Sequence, residues 1–408
     1  MTFLNEYTVA HKWRMISMIA FVEFLAMTVW FSASAVVPAL TDAWNLSDSG
    51  KAWLTMSVQI GFVVGALGSA ILNLSDRIAT QRFMVISSAL AALMTLMIPV
   101  LANGITIALI FRFMTGVFLA GVYPVGMKMM TTWTKKDRGL GIGLLVGALT
   151  LGSAAPHLIN ALGGIGDWKP VLYISGGLAA LSAVMTHLVV KEGPFRTPSA
   201  PFNWRYIGQI LRQRDIVLAN VGYLGHMWEL YAMWAWISTF FLASFNISGV
   251  DDQWASVAAF ATIGIGGVGS FIVGKLADNI GRTTVNIVSL TTSGFISLLI
   301  GFFLGSNPIL VVIIALIWGF AIVADSAQFS ACVSELCDPE YTGTALTLQT
   351  SLGFLLTLVT IRLIPILEKS IGWEWAFAIL ALGPMVGIGA MFALRNSPAK
   401  AKLAGGRG

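Results

Sequence analysis

The sequence predicts an all-α membrane protein with twelve transmembrane helices arranged as two six-helix pseudo-symmetric halves. Three observations carry that prediction. First, 57% of the 408 residues are hydrophobic and only 11% charged, with a mean hydropathy of +0.82, whereas soluble domains are about one quarter charged. Second, the apolar residues gather into twelve runs, each near the ~20 residues that a spanning helix needs. Third, the pattern Glu23, Ala26, Met27, Trp30, Ser32 returns 206 residues later as Glu229, Ala232, Met233, Trp236, Ser238.

The first six runs cover about 15–40, 52–72, 83–101, 105–132, 140–162 and 171–190. The second six cover about 216–245, 254–273, 284–304, 309–336, 345–367 and 375–394. In lipid a backbone must satisfy its own polar groups, so these runs are read as helices; the alternation of a membrane β-barrel is absent. A polar stretch from Lys191 to Arg214, with Pro194, Pro198 and Pro201, separates the sets. The domains are therefore placed at 1–190, a linker at 191–214, a second half at 215–394 and a tail at 395–408. Three more pairs repeat at offsets of 201 to 205: Trp53 with Trp254, Asp76 with Asp278, and Trp168 with Trp373. Parallel repeats of this kind place a solute site at their interface, near the bilayer midplane. Gly61, Gly65 and Ser69 on the second run, and Gly143 and Gly147 on the fifth, supply faces for close helix packing.

Charge sets the expected orientation. Eighteen Lys and Arg fall on one side: Lys12, Arg14, Arg77, Arg82, Lys135, Lys136, Arg138, five in the linker (Lys191, Arg196, Arg205, Arg212, Arg214), Lys275, Arg282 and four in the tail. The other side holds Lys51, Lys169 and Lys369. By the positive-inside rule both termini are cytoplasmic and the protein is multi-pass in the cytoplasmic (inner) membrane. The net charge of +5 is topological and implies no nucleic acid. Cys332 and Cys337 lie in or at the end of an apolar run and read as free thiols, not a disulfide framework. The first run exceeds a signal-peptide core and reads as a retained helix.

Several classes are excluded. Gly269 to Lys275 spells Gly-x4-Gly-Lys, but Leu276 stands where a magnesium-binding hydroxyl belongs. There is no His-Glu-x-x-His or Gly-x-Ser-x-Gly, and four scattered histidines make no metal site, so neither enzyme nor cofactor is expected. A channel or non-transporting sensor remains the different-class alternative. Matched acids in the two halves favour alternating access over it.

Glu23, Met27 and Trp30 are spaced i, i+4, i+7 and share one helix face, as do Glu229, Met233 and Trp236. A carboxylate shielded from water suits reversible protonation, with Met and Trp as a polarizable wall for substrate. The alternative is a hydrogen-bonded structural glutamate. Arg112 cannot shed its charge, so it pairs with Glu23, binds an anion, or ties helices together. Arg362 is a candidate anion ligand. Lys128 either reaches the cavity or snorkels to the surface. Asp325, Gln328 and Cys332 share a face with Phe329 near it, which reads as cavity lining or interhelical hydrogen bonding. His157 and His226 either titrate or serve as hydrogen-bonding fixtures.

The loop Gly274-Lys275-Leu276-Ala277-Asp278-Asn279-Ile280-Gly281-Arg282 resembles the signature loop of the major facilitator superfamily, Gly-x-Leu-Ala-Asp-Arg-x-Gly-Arg. The first-half copy around Asp76, Arg77 and Arg82 is degenerate and lacks both glycines. Arg112 and Gly116, followed by Tyr123-Pro124, are similar to the family's fourth-helix motif. The family's antiporter motif on the fifth helix is matched by Gly143 and Gly152, but Ala155-Pro156 arrives one residue early and Ile159-Asn160 replaces the final glycines. The resemblance implies a secondary transporter whose halves rock, a link between Arg112 and proton transfer, and a cytoplasmic gate at Asp76, Arg77, Arg82, Gly274, Asp278, Gly281 and Arg282. The expected function is proton-coupled transport of a small organic solute by a monomer. Glu23, Glu229, Asp325 and Arg112 are the coupling candidates. Trp30, Met27, Met233, Trp236, Arg112, Arg362, Lys128, Gln328 and His157 are the substrate candidates. The buried bases favour an organic anion; acids beside tryptophans leave a proton/drug antiporter for cationic compounds as the alternative.

Overall fold

A computed structural model describes residues 9–134, 138–163, 166–195 and 202–408. Lys135, Lys136, Arg196, Pro198 and Pro201 lie outside the described residues. The helices are α1 (Val9–Met27), α2 (Asp48–Ile71), α3 (Thr80–Leu101), α4 (Ile105–Trp133), α5 (Arg138–Gly163) and α6 (Lys169–Leu188). Then follow α7 (Arg214–Ser248), α8 (Asp252–Ile280), α9 (Arg282–Phe303), α10 (Pro308–Leu336), α11 (Thr342–Ile371) and α12 (Trp373–Arg395). The eleven from α2 onward are long and apolar enough to cross a membrane. Local signals set their ends. Ser47 caps α2 by accepting from the Gly50 N–H at 3.2 Å. Asn307 and Pro308 start α10, and α7 stops at Gly249, whose φ of 69° suits glycine.

The first run departs from expectation. It reads as one span to residue 40, yet the helix ends at Met27, and turns over 28–33 lead to a short helix, Val37–Trp44. Two other spans break near their middles. In α4 the pieces are Ile105–Leu119 and Tyr123–Trp133, and in α10 they are Pro308–Ala324 and Ser326–Leu336. Pro124 lacks the N–H that would have carried the α4 ladder through its break.

The duplication is visible in packing as well as in sequence. A Cβ on Gly116 (α4) would collide with the Val58 carbonyl of α2, and one on Gly319 (α10) would collide with the Thr262 carbonyl of α8. Gly65 meets the Val117 carbonyl, and Gly269 meets that of Phe320 in the same way. The glycines let α2 lie on α4, and α8 on α10, at backbone distance. Gly116→Ala or Gly319→Ala is expected to lower stability by about 1–3 kcal/mol through overpacking. Gly68→Ala, whose new methyl meets nothing within 4 Å, serves as the neutral control. Thermal unfolding in detergent reads all three.

The halves meet along two antiparallel helix pairs. On one edge α5 lies on α8, from Gly139 beside Asp278, through Gly147 against Gly267, to Asn160, which donates to Ser256 at 3.0 Å. On the other edge α2 lies on α11. There the Phe62 and Phe354 rings pack at a tilt, 4.8 Å apart, Thr357 is bonded to Gln59, and Lys369 reaches Asp48 at 3.9 Å. The interior between these edges holds the candidate site.

Candidate functional site

Arg112 explains the break after α1. Its side chain is fully buried, and its guanidinium donates to the carbonyls of Val29 (2.7 Å), Trp30 and Leu54 (3.2 Å), and to Ser32 Oγ (3.3 Å). The carbonyls of Val29 and Trp30, which a continuing α1 would have satisfied internally, are taken by Arg112 instead. The guanidinium is spent on this job, and no ion pair joins it to Glu23 among the described residues. Because the helix stops at Met27, Trp30 leaves the face it was expected to share with Glu23.

Glu23 and Glu229 occupy matching places with different surroundings. Glu23 is fully buried, and neither carboxylate oxygen has a hydrogen-bond partner among the described residues. It faces Gly126 of α4 so closely that a Cβ there would stand 2.7 Å from Oε2. Glu229 is satisfied at both oxygens. The Trp318 indole N–H donates to Oε1 at 2.6 Å, and the Ser293 hydroxyl donates to Oε2 at 2.8 Å. Both donors sit on helices of the second half, so Glu229 ties α7 to α9 and α10.

Other candidates are distributed away from one cluster. Asp325 stands at the α10 break, with Oδ1 2.9 Å from His226 Nδ1, while His226 Nε2 lies 2.9 Å from Ser326 Oγ. The imidazole therefore clamps the break from α7. Gln328 does not continue that contact; its oxygen accepts from Arg282 Nη1 at 2.7 Å. Met27 and Met233 are fully buried. Trp236 shares the Glu229 face but donates to the Ile361 carbonyl at 2.9 Å, bracing α7 on α11. Lys128 snorkels away from the centre to Asp76 and the Ser75 carbonyl. His157 is fully buried with both ring nitrogens unpartnered among the described residues, on the face shared by Thr150 and Ser153. Arg362 is half-buried, and its Nη1 likewise has no partner.

The signature loop makes a compact ionic cluster. Arg282 forks onto Glu335 at 2.6 and 2.8 Å and lies 3.3 Å from Asp278. Gly281 adopts a φ of 96° against the backbone of Arg407 and Gly408. Asp278 also faces Gly139 in the first turn of α5, where a helix N-terminus favours negative charge. Gly274 is buried beside it, and Arg77 and Arg82 are exposed. Sequence reasoning missed Glu335, although it lies seven residues after Gln328 on the same face.

It also missed the centre itself. Trp30, Phe31 and Phe62 from the first half pack on Tyr231, Trp234 and Phe354 from the second. Ring centroids lie 5.5 Å apart for Trp30–Phe354, 5.7 Å for Phe31–Trp234 and 5.0 Å for Tyr231–Phe354. The density of rings in Tyr231-Ala-Met-Trp-Ala-Trp was the available signal.

A duplicated bundle with broken helices and buried polar groups at the repeat interface defines a multi-pass membrane transporter. The family model of the Major Facilitator Superfamily matches residues 19–361 and 219–408, and the chain belongs to that family. A probable 4-methylmuconolactone transporter of Cupriavidus pinatubonensis is 25% identical over 325 residues, covering 74% of this chain and 71% of the relative. The 4-hydroxybenzoate transporter PcaK of Pseudomonas aeruginosa is 25% identical over 186 residues, covering 45% and 41%. A crystal structure of a bacterial homologue of the human lysosomal transporter Spinster, inward-facing and unoccupied, superposes with a TM-score of 0.72 at 14% identity, covering 95% of this chain and 98% of that one. The nucleoside transporter NupG gives 0.71 at 14% identity, covering 93% and 99%. These two structures share the fold.

Proposed function

We propose that the protein is a proton-coupled secondary transporter of a small organic acid in the cytoplasmic membrane, with both termini cytoplasmic. Residues 1–190 and 215–394 form the halves that rock, and the 191–214 linker joins them. The observation that carries this reading is Glu23, a fully buried carboxylate whose two oxygens are unpartnered among the described residues. Burying an unpaired charge costs far more than burying the neutral acid. Rocking that admits water to Glu23 is therefore tied to release of its proton, and closure to its return. An unpartnered Arg362 Nη1 favours an anion, as do relatives named for 4-methylmuconolactone and 4-hydroxybenzoate. The signature-loop cluster of Asp278, Arg282 and Glu335 serves as the cytoplasmic gate.

Proteoliposomes carrying a pH-sensitive dye test the reading. Adding a benzoate-type acid is expected to move protons with the solute. Proton movement only with cationic compounds would make the protein a drug antiporter, and acid flux without protons would remove the coupling.

A further inference from the structure

Gln59 sits where the halves touch at mid-bundle. It is fully buried on α2, one turn from Phe62, and faces Thr357, one turn from Phe354 on α11. The Thr357 hydroxyl is bonded to the Gln59 side-chain oxygen and lies 2.7 Å from the Phe354 carbonyl. The other end of the amide, Nε2, has no partner among the described residues, and neither does the indole nitrogen of Trp30 or of Trp234.

Trp30 and Trp234 both pack on Tyr231, at 6.1 and 5.4 Å, and Gln59 joins the same aromatic cluster through Phe62, one turn along α2, which packs on Trp30 at 5.0 Å. An unbonded buried donor is destabilising, and apolar side chains would fill the same space without that cost. The cluster offers flat rings for an unsaturated body and N–H groups for oxygens.

We infer that Gln59 is a specificity-determining residue. Its free amide nitrogen, with the Trp30 and Trp234 indoles, receives the oxygens of a planar organic acid whose ring replaces the contacts among Trp30, Tyr231, Trp234 and Phe354 when rocking parts the halves. The bond to Thr357 links occupancy to the opposite half. This inference rests on the organic-acid reading above.

The test is counterflow uptake of radiolabelled benzoate, 4-hydroxybenzoate and cyclohexanecarboxylate by the full chain in proteoliposomes, an assay that needs no proton gradient. Gln59→Leu is expected to raise KM for the benzoates about ten- to a hundredfold, with kcat within about threefold. Trp234→Phe keeps the ring and drops the donor; its KM is expected to rise about five- to tenfold. Thr357→Val is expected to lower kcat with KM within about twofold. If Gln59→Leu does not fold, the other two variants carry the test. Unchanged KM values in Gln59→Leu and Trp234→Phe, with the wild type active, would overturn the Gln59 assignment alone. A wild type that moves none of the acids would overturn the substrate reading, and the assignment with it.

Discussion

Glu23→Gln is expected to abolish gradient-driven uptake, a loss of at least about a hundredfold, while counterflow exchange survives. The substitution keeps the shape of the neutral acid and removes the exchangeable proton. No hydrogen bond is lost, because neither oxygen of Glu23 has a partner among the described residues. Stability should change by no more than about 1 kcal/mol, the cost of one poorly bonded amide. Glu229→Gln is the contrasting variant. Two donors, Trp318 Nε1 and Ser293 Oγ, converge on that carboxylate, and an amide accepts at only one end. It is expected to lose about 1–3 kcal/mol of stability and to retain coupled flux. Uptake against dissipated and imposed pH gradients, with melting curves for both proteins, reads the difference. A coupled Glu23→Gln would transfer the proton to another acid.

Arg112→Met is expected to be the most destabilising single change in the first half, by about 3–5 kcal/mol. Methionine fills part of the volume but leaves the Trp30 carbonyl without its donor and takes one of the donors from the carbonyls of Val29 and Leu54. The turns over 28–33 would then lose what holds them open, and the aromatic cluster around Trp30 would lose its placement. Arg112→Lys should recover part of the loss, since an ammonium donates but cannot fork to three carbonyls. Melting in detergent checks both, and a native melting temperature for Arg112→Met would remove the structural role. Direct participation of Arg112 in proton transfer would instead show as lost coupling in an Arg112→Lys protein of near-native stability.

The contrast between these residues explains how much was legible in advance. The close packing at Gly61, Gly65 and Gly147 follows from small residues spaced every four positions along helices, whereas Gly116 and Gly319 show as packing glycines only once their partner helices are in place. Placement of Lys128 was open only between two directions, because the residue stands within reach of a helix end. Trp30 was misplaced, since a seven-residue spacing assigns a helix face only if the helix continues. What stops it is a guanidinium from a helix about eighty residues further along, and nothing near Trp30 in sequence carries that information. The same limit hid Gln59 and Phe354, which are ordinary residues of two apolar spans until the halves are docked.

The linear order of residues establishes a duplicated membrane bundle with a carboxylate buried in each half. Those properties rest on composition, periodicity and repetition along the chain, which are local. Tertiary structure alone decided that the two carboxylates are unequal, that Arg112 serves the backbone, and that the two halves meet in an aromatic cluster bordered by free donors. Hydrogen-bond partners are supplied by neighbouring helices, so two identical local patterns become chemically different sites once different helices pack against them.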